Sequence, residues 1–247
     1  MKKKIGIIWY GELDSTNSEL QRHISDFDNL SVVAAGFQTA GRGQRGNRWF
    51  SAPGENLTFS ILVRFGEDGI EELPVKRQHE LNLLVPLSIV SFLKKHGISA
   101  SVKWPNDIYV RNRKICGILI ENSAQRDLIH TSIIGIGLNV NQTAFSETAN
   151  AVSMKLLTVE DYDLKKALVE YADIFQEYLD RLGTSSFKEE YDSLLYRKDR
   201  LFPYEDYLRN ERFNGTIKGV DTDGRLIIED ESGGLRRFSF KEIGYIL

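Results

Sequence analysis

Between residues 163 and 182 the apolar side chains Leu164, Leu168, Tyr171, Phe175, Tyr178 and Leu182 recur at the three- and four-residue intervals of a helix with one buried face. Residues 56–64, "NLTFSILVR", carry the other period: Leu57, Phe59, Ile61 and Val63 fall on alternate positions, which predicts a half-buried strand. "LSVVAAGFQ" (30–38) is a continuous apolar run, the pattern of a buried strand. In "STNSELQRHI" (15–24) Thr16 and Glu19 have capping-box spacing, so a helix starts there with free backbone N–H groups near Ser15 to Asn17. "HELNLLVPLSIVSFLKKHG" (79–97) is a long apolar helix closed by Gly97, which Pro86 should either kink or begin. "KWPNDIYV", "RKICGILIEN" and "HTSIIGIGLNVN" predict a strand pair, turned through Arg111 to Arg113, plus a further strand. A second helix is expected over about 185–196.

From Glu211 the pattern changes to short strands and tight turns: "RFNGTIKGV", Asp223-Gly224, "RLIIEDE", Gly233-Gly234 and "LRRFSF". This predicts a small all-β barrel too short to be stable alone, with a boundary near 197–205.

Composition narrows the function classes. The chain has 247 residues, 41% hydrophobic and 27% charged, with a net charge of −3, so no global basic field draws it to nucleic acid or membrane. Met1 to Lys4 look like the basic start of a signal peptide, but Ile5 to Tyr10 are too few for its apolar core. No stretch approaches the ~20 apolar residues of a membrane span. The single cysteine, Cys116, excludes an internal disulfide, suits a reducing cytoplasm and reads as inert core packing. Four scattered histidines without an HExxH pattern argue against a zinc enzyme.

The chemistry concentrates in "TAGRGQRGNRWF" (39–50). Its Gly41-x-Gly43-x-x-Gly46 has dinucleotide-fingerprint spacing, but the turn-rich run after Gly46 does not open a helix, and no kinase HRD or DFG follows. Arg42, Arg45 and Arg48 would be a solvated turn if they stood alone. Interleaved glycines, however, let backbone approach a ligand, guanidinium forks match carboxylate or phosphate, and Trp49 offers a face for a base. A ligand carrying both carboxylate and phosphate fits that mixture. Lys103, Asn106, Asp107 and Lys114 form a second polar group, and Gly117 permits close approach within a strand. Asn139 and Asn141 end the next strand; they could make turns or read an adenine edge.

Taken in order, "DSTNSE", "FQTAGRGQRGNRWFSAPGENLTFSILV", "KWPNDIYV", "RKICGILIE" and "GIGLNVN" resemble the biotin protein ligases, over nearly the whole chain. The resemblance implies an α+β fold: a mixed-sheet ligase catalytic domain with flanking helices over 1–199, and a small C-terminal SH3-like β-barrel domain over 200–247. It implies ATP-dependent activation of biotin to biotinyl-5′-AMP with Mg²⁺, then transfer to a lysine of a biotin carboxyl carrier protein. Around biotin it places Ser15, Thr16, Asn17, Gln38, Gly41, Arg42, Gly43, Gln44, Lys114 and Gly117; around ATP and the adenylate, Arg42, Arg45, Trp49, Lys114 and Asn139. Lys114, Arg42 and Asp107 form the implied catalytic set, and no chain ligand for the metal is assigned.

One position departs from the family: many relatives read Gly-Arg-Gly-Arg, where this chain has Gln44, so weaker retention of the intermediate is expected. The ligase motifs start at Asp14, without room upstream for the helix-turn-helix domain of bifunctional relatives, so no DNA binding is expected. A homodimer is left open. Two other functions compete: a lipoate or octanoate–protein ligase of the same fold, and a nucleic-acid-binding module using the Arg/Gly loop. The Gly-Arg-Gly and Lys-Trp-Pro-Asn-Asp segments favour biotin over the first, and the acidic balance disfavours the second.

Overall fold

The computed structural model describes residues 5–146, 150–183 and 186–246, except the side chain of Arg45; Met1 to Lys4 and the start of the helix expected at 185 lie outside the described residues. In chain order the elements are β1 (Gly6–Leu13), α1 (Thr16–Arg22), β2 (Ser31–Gln38), β3 (Leu57–Arg64), β4 (Leu73–Pro74), α2 (His79–Lys95), β5 (Ser101–Lys103), β6 (Asp107–Val110), β7 (Arg113–Gln125) and β8 (Leu128–Leu138). There follow α3 (Met154–Thr158), α4 (Leu164–Leu179), α5 (Lys188–Ser193), β9 (Leu201–Asp206), β10 (Glu211–Val220), β11 (Leu226–Asp230), β12 (Leu235–Phe238) and β13 (Ile243–Tyr245).

The larger sheet runs β1-β2-β3-β8-β7-β6-β5, with β4 added to β8. Among the strand pairs of the described residues only β1–β2 is parallel, so the sheet is mixed, as the fold class requires. Helices cover both faces. On one, Leu57, Phe59, Ile61 and Val63 of β3 join Val32, Ala34, Ile134 and Ile136 in the main core with α2 and α4. On the other, Leu62, Val33 and Ile133 meet Leu20 of α1 in a smaller cluster. Strand β3 is therefore buried on both sides, not half-buried: Thr58 and Ser60, read from the alternation as outward, face α1.

Local chemistry explains most element ends. The cap of α1 is Ser15, one residue before the expected Thr16; its side chain accepts from Ser18 N, while Thr16 turns inward. Helix α2 neither begins at Pro86 nor stops there. A mid-helix proline costs about 3 kcal/mol, and the burial of eleven residues of α2 between the sheet and α4 offsets that several times over. Gly97, at φ 71°, closes the helix as expected. Helix α5 occupies Lys188–Ser193, shorter than the 185–196 expected.

The C-terminal strands form an antiparallel sheet in the order β12-β11-β10-β9-β13, around Tyr204, Ile217, Leu226, Ile228 and Phe238. Among the described residues its end strands, β12 and β13, do not pair, so the expected barrel is an unclosed five-stranded sheet. The sheet docks by specific bonds: Trp104 Nε1 donates to Gly224 O (3.0 Å), Val220 N to Asp192 Oδ1 (2.9 Å) and Arg197 Nη1 to Ile246 O (2.9 Å).

Candidate functional site

Antiparallel register stacks three cross-strand rows on the α1 face of the large sheet. They are Thr58–Gly137–Gly117, Ser60–Gly135–Leu119 and Leu62–Ile133–Glu121. Residues directly opposite share a face, so the three glycines clear one continuous patch of side chains. Two groups fill it. A Cβ on Gly135 would overlap the amide of Asn17, and a Cβ on Gly137 would overlap the indole of Trp49. On Gly117 it would come within 3.0 Å of the Trp49 ring and 3.2 Å of Lys114 Nζ.

The N-terminus of α1 supplies the polar end of this pocket. Ser15, Thr16 and Asn17 are each 3% exposed. Thr16 N donates to Gln38 Oε1 (2.8 Å), Thr16 Oγ1 and Ser60 Oγ lie 2.6 Å apart, and Ser60 Oγ donates to Asn17 Oδ1. Asp14, just upstream, pairs with Arg22, whose guanidinium holds the carboxyl down at about 2. Its backbone oxygen accepts from Ala40 N, which fixes where the glycine loop leaves β2.

That loop is a tight hairpin. Trp49 N donates to Gly41 O (2.9 Å), Gly43 N to Asn47 O (2.8 Å), and Gln44–Gly46 form one short turn at the tip. Gly41 is required here, since a Cβ would meet Trp49 O at 2.5 Å. Arg42 points to Glu121 of β7 and bonds it through both guanidinium nitrogens, whereas Arg48 donates to Thr39 O (2.8 Å).

Trp49 divides the site. On its inner side lies a pocket of about 50 Å³ lined by Ser15, Thr16, Asn17, Gln38, Arg42, Gly43, Gln44, Lys114 and Gly117 among others. Outside is a recess of about 670 Å³ with Phe37, Phe50, Gln142 and Phe145 in its walls. A cavity of ~150 Å³ holds benzene, so a bicyclic ligand needs more room than the inner pocket has, and the indole is the ring between that pocket and the outer recess. The indole N–H is buried without a partner among the described residues.

A third space, about 390 Å³, opens between the loop, the Trp104–Asp107 turn and the C-terminal sheet. Lys114 Nζ stands at its junction with the inner pocket, 2.6 Å from Asp107 Oδ1 and 5.7 Å from the Trp49 ring centre. Lys103 also lines this cleft, over the rings of Tyr109 (4.8 Å) and Tyr245 (5.1 Å), and burial pushes its pKa down. Asn106 bonds the Ile118 carbonyl (2.7 Å), pinning the turn to β7. Cys116 is fully buried in the core, as expected of inert packing.

The structure thus gathers ten of the predicted residues at one pocket: Ser15, Thr16, Asn17, Gln38, Arg42, Gly43, Gln44, Trp49, Lys114 and Gly117. Asp107 touches it through Lys114, and Gly41 shapes it from the hairpin. Asn139 is not among the residues lining this pocket: it is 3% exposed, and one N–H of its amide donates to Val152 O (3.1 Å), which leaves the second N–H and Oδ1. The Arg45 side chain lies outside the described residues.

Comparison with known proteins agrees with this geometry. The biotin/lipoate A/B protein ligase family model matches residues 10–139, which span β1 to the end of β8 and carry both the glycine patch and the hairpin. The chain belongs to the biotin/lipoate A/B protein ligase family. A second model, the biotin protein ligase C-terminal domain, matches residues 207–243. Among family members, the biotin–[acetyl-CoA-carboxylase] ligase of Paracoccus denitrificans is 27% identical over 89% of this chain and 92% of its own. The bifunctional ligase/repressor of Bacillus spizizenii is 28% identical over 82% of this chain, which spans 62% of that protein's length. The biotin protein ligase of Aquifex aeolicus, solved in complex with biotin and ATP, superposes with a TM-score of 0.78, 28% identity and 97% coverage of both chains.

Sequence reasoning missed Ser60, Gly135, Gly137 and Glu121. The signal was present in part: Ser60 interrupts the run "FSILV", Glu121 ends the run "ICGILIE", and "IIGIGL" repeats glycine at the two-residue period of one strand face. Gly137→Ala tests the cleared patch, because its methyl would occupy the slot that the indole and any inner ligand share. Biotin affinity by calorimetry should fall at least ~10-fold with the far-UV spectrum unchanged, ~1.4 kcal/mol or more. Wild-type affinity would place the ligand elsewhere.

Proposed function

We propose that the protein is a biotin protein ligase, joining biotin to ATP and passing it to a lysine of a biotin carboxyl carrier domain. The observation that carries this is the ordering of one continuous site. A hydrogen-bonding end (Thr16, Gln38, Ser60, Asn17) leads through a slot floored by glycine to Lys114, with a base-sized recess across Trp49. A ureido ring suits the polar end, an aliphatic tail the bare slot, and adenine the outer face of the indole.

In the first step a carboxylate oxygen of biotin attacks the α-phosphorus. The bond to pyrophosphate breaks, giving biotinyl-5′-adenylate. Two anions must meet, so cations and oriented N–H groups are needed where they do. Lys114 and the Gly41–Gly43 backbone stand there; Lys114 would exchange Asp107 for the ligand. Asp107, thus released, would take the proton of the acceptor lysine as its nitrogen attacks the acyl carbon and AMP leaves. We place the carrier lysine's entry in the cleft beside the C-terminal sheet, which opens onto both residues.

Among the described residues no group of three or more His, Cys, Asp or Glu could cage a metal, so Mg²⁺ would enter as part of MgATP, held mainly by the phosphates. No described helix is long and apolar enough to cross a membrane, and a cytoplasmic site of action is part of the proposal. The hydroxyls and amides of the polar end suit a ureido ring, which brings its own N–H donors and carbonyl acceptor, better than a lipoyl ring, which brings neither. The Arg/Gly loop offers little to nucleic acid, with Arg42 and Arg48 already engaged within the fold.

ATP–pyrophosphate exchange with biotin, lipoate and octanoate side by side tests this assignment: exchange should depend on biotin, and equal rates with lipoate would overturn it. Lys114→Ala should slow single-turnover adenylation roughly 30- to 1,000-fold, a loss of ~2–4 kcal/mol of charge stabilisation, while the chain still folds. Gln44 lines the inner pocket without a charge to offer. Gln44→Arg should therefore slow release of labelled biotinyl-adenylate several-fold, up to ~10-fold, as a charged bond replaces a neutral one. Release at the wild-type rate would show that this side chain does not reach the phosphate.

A further inference from the structure

Glu121 lies at the edge of the pocket, on the row Leu62–Ile133–Glu121. Its two carboxylate oxygens accept from both terminal nitrogens of Arg42, and Oε2 also accepts from Asn17 Nδ2 (2.8 Å). Asn17 in turn accepts from Ser60 Oγ. The single Ser60 proton is then used, so the Thr16 hydroxyl proton is shared between Ser60 Oγ (2.6 Å) and Gln38 Oε1 (3.2 Å). Thr16 N donates to Gln38. An unbroken line of bonds therefore runs Gln38–Thr16–Ser60–Asn17–Glu121–Arg42, from the polar end of the pocket to the hairpin that covers it.

An ion pair with 31% and 40% exposed side chains would ordinarily contribute little. Two features set this one apart. It is bidentate, with the planar fork of arginine on a carboxylate, and the carboxylate is fixed from behind by an amide that is itself 3% exposed. The three loop arginines would otherwise repel one another until an outside anion arrived; Glu121 is an anion built into the sheet.

We propose that Glu121 is a positioning residue: it anchors Arg42, holds the Gly41–Gly43 backbone over the pocket, and ties that closure to the groups at the polar end. This rests on the ligase assignment above. Glu121 touches no reacting atom in this scheme, and its effect passes through the loop. Its loss should therefore appear in retention of ligand more than in the chemical step.

Glu121→Gln is the informative change, since an amide oxygen still accepts from Asn17 but brings no charge to Arg42. Release of biotinyl-adenylate and KM for biotin in the exchange reaction should each rise about 10-fold, with kcat altered less than about three-fold. Trypsin should cut after Arg42, Arg45 or Arg48 several-fold faster than in wild type. In an Arg42→Gln background the same substitution should change release less than about two-fold, because both remove one interaction. Glu121→Asp should recover part of the loss. Wild-type release and cleavage in Glu121→Gln, or effects of the two substitutions that multiply, would overturn the proposal. A variant with lowered thermal stability and lowered kcat but normal KM would make Glu121 a structural residue only, which also overturns it. The tryptic measurement needs no turnover, so absence of biotin-dependent exchange in wild type would defeat the ligase assignment separately.

Discussion

A sheet face that must support both a helix and a ligand has to be emptied of side chains at one place and filled at the next. Here that constraint is met by antiparallel register. Leu62, Val33 and Ile133 pack against α1, and two residues further along the same strands Gly135 sits opposite Ser60, with Gly137 and Gly117 beyond. Everything else in the site takes its place from that bare patch. Asn17 and Trp49 lie where three Cβ atoms would have been, and the hairpin closes at a depth set by the indole.

The hairpin and α1 reach the patch from opposite sides, and each is tethered at its base. Ser15 caps the helix, Asp14 fixes the chain on either side of it, and Ala40 bonds back to Asp14. The polar groups so gathered are shared among neighbours, with hydroxyls and amides bonding one another across α1, β2 and β3. Such a set is stiff in the sense that no member can rotate without orphaning another. It therefore meets a ligand already oriented, the condition for binding energy to be used on chemistry and not on ordering.

Much of this was legible in the sequence because it depends on local rules. The helical period of 164–182, the closing glycine at 97 and the turn-rich character after Gly46 all describe what the chain does within a few residues. The ordered motifs carried the site residues for the same reason. What escaped depends on distant neighbours. Thr58 and Ser60 looked outward until α1 was placed over them, and Glu121 has no meaning without Arg42, 79 positions away. At Pro86 the sequence left a kink and a helix start both open, and the burial that carries the helix through it comes from α4 and the sheet. Whether the two end strands of the C-terminal sheet meet is likewise a matter of distant neighbours, which turn signals do not measure.

Cys116 lies on β7 beside Gly117, fully buried, and burial raises its thiol pKa far above the ordinary value. It is the only cysteine in the chain. Thiol reagents should therefore react slowly with the folded protein, since burial closes the path to the sulfur and disfavours the thiolate. A cysteine introduced at an exposed site, on the hairpin tip or on the C-terminal sheet, would be the sole reactive sulfur of the folded molecule. A dye or spin label could be placed there without first removing a native residue, and motion of the loop could be watched in an otherwise unaltered background.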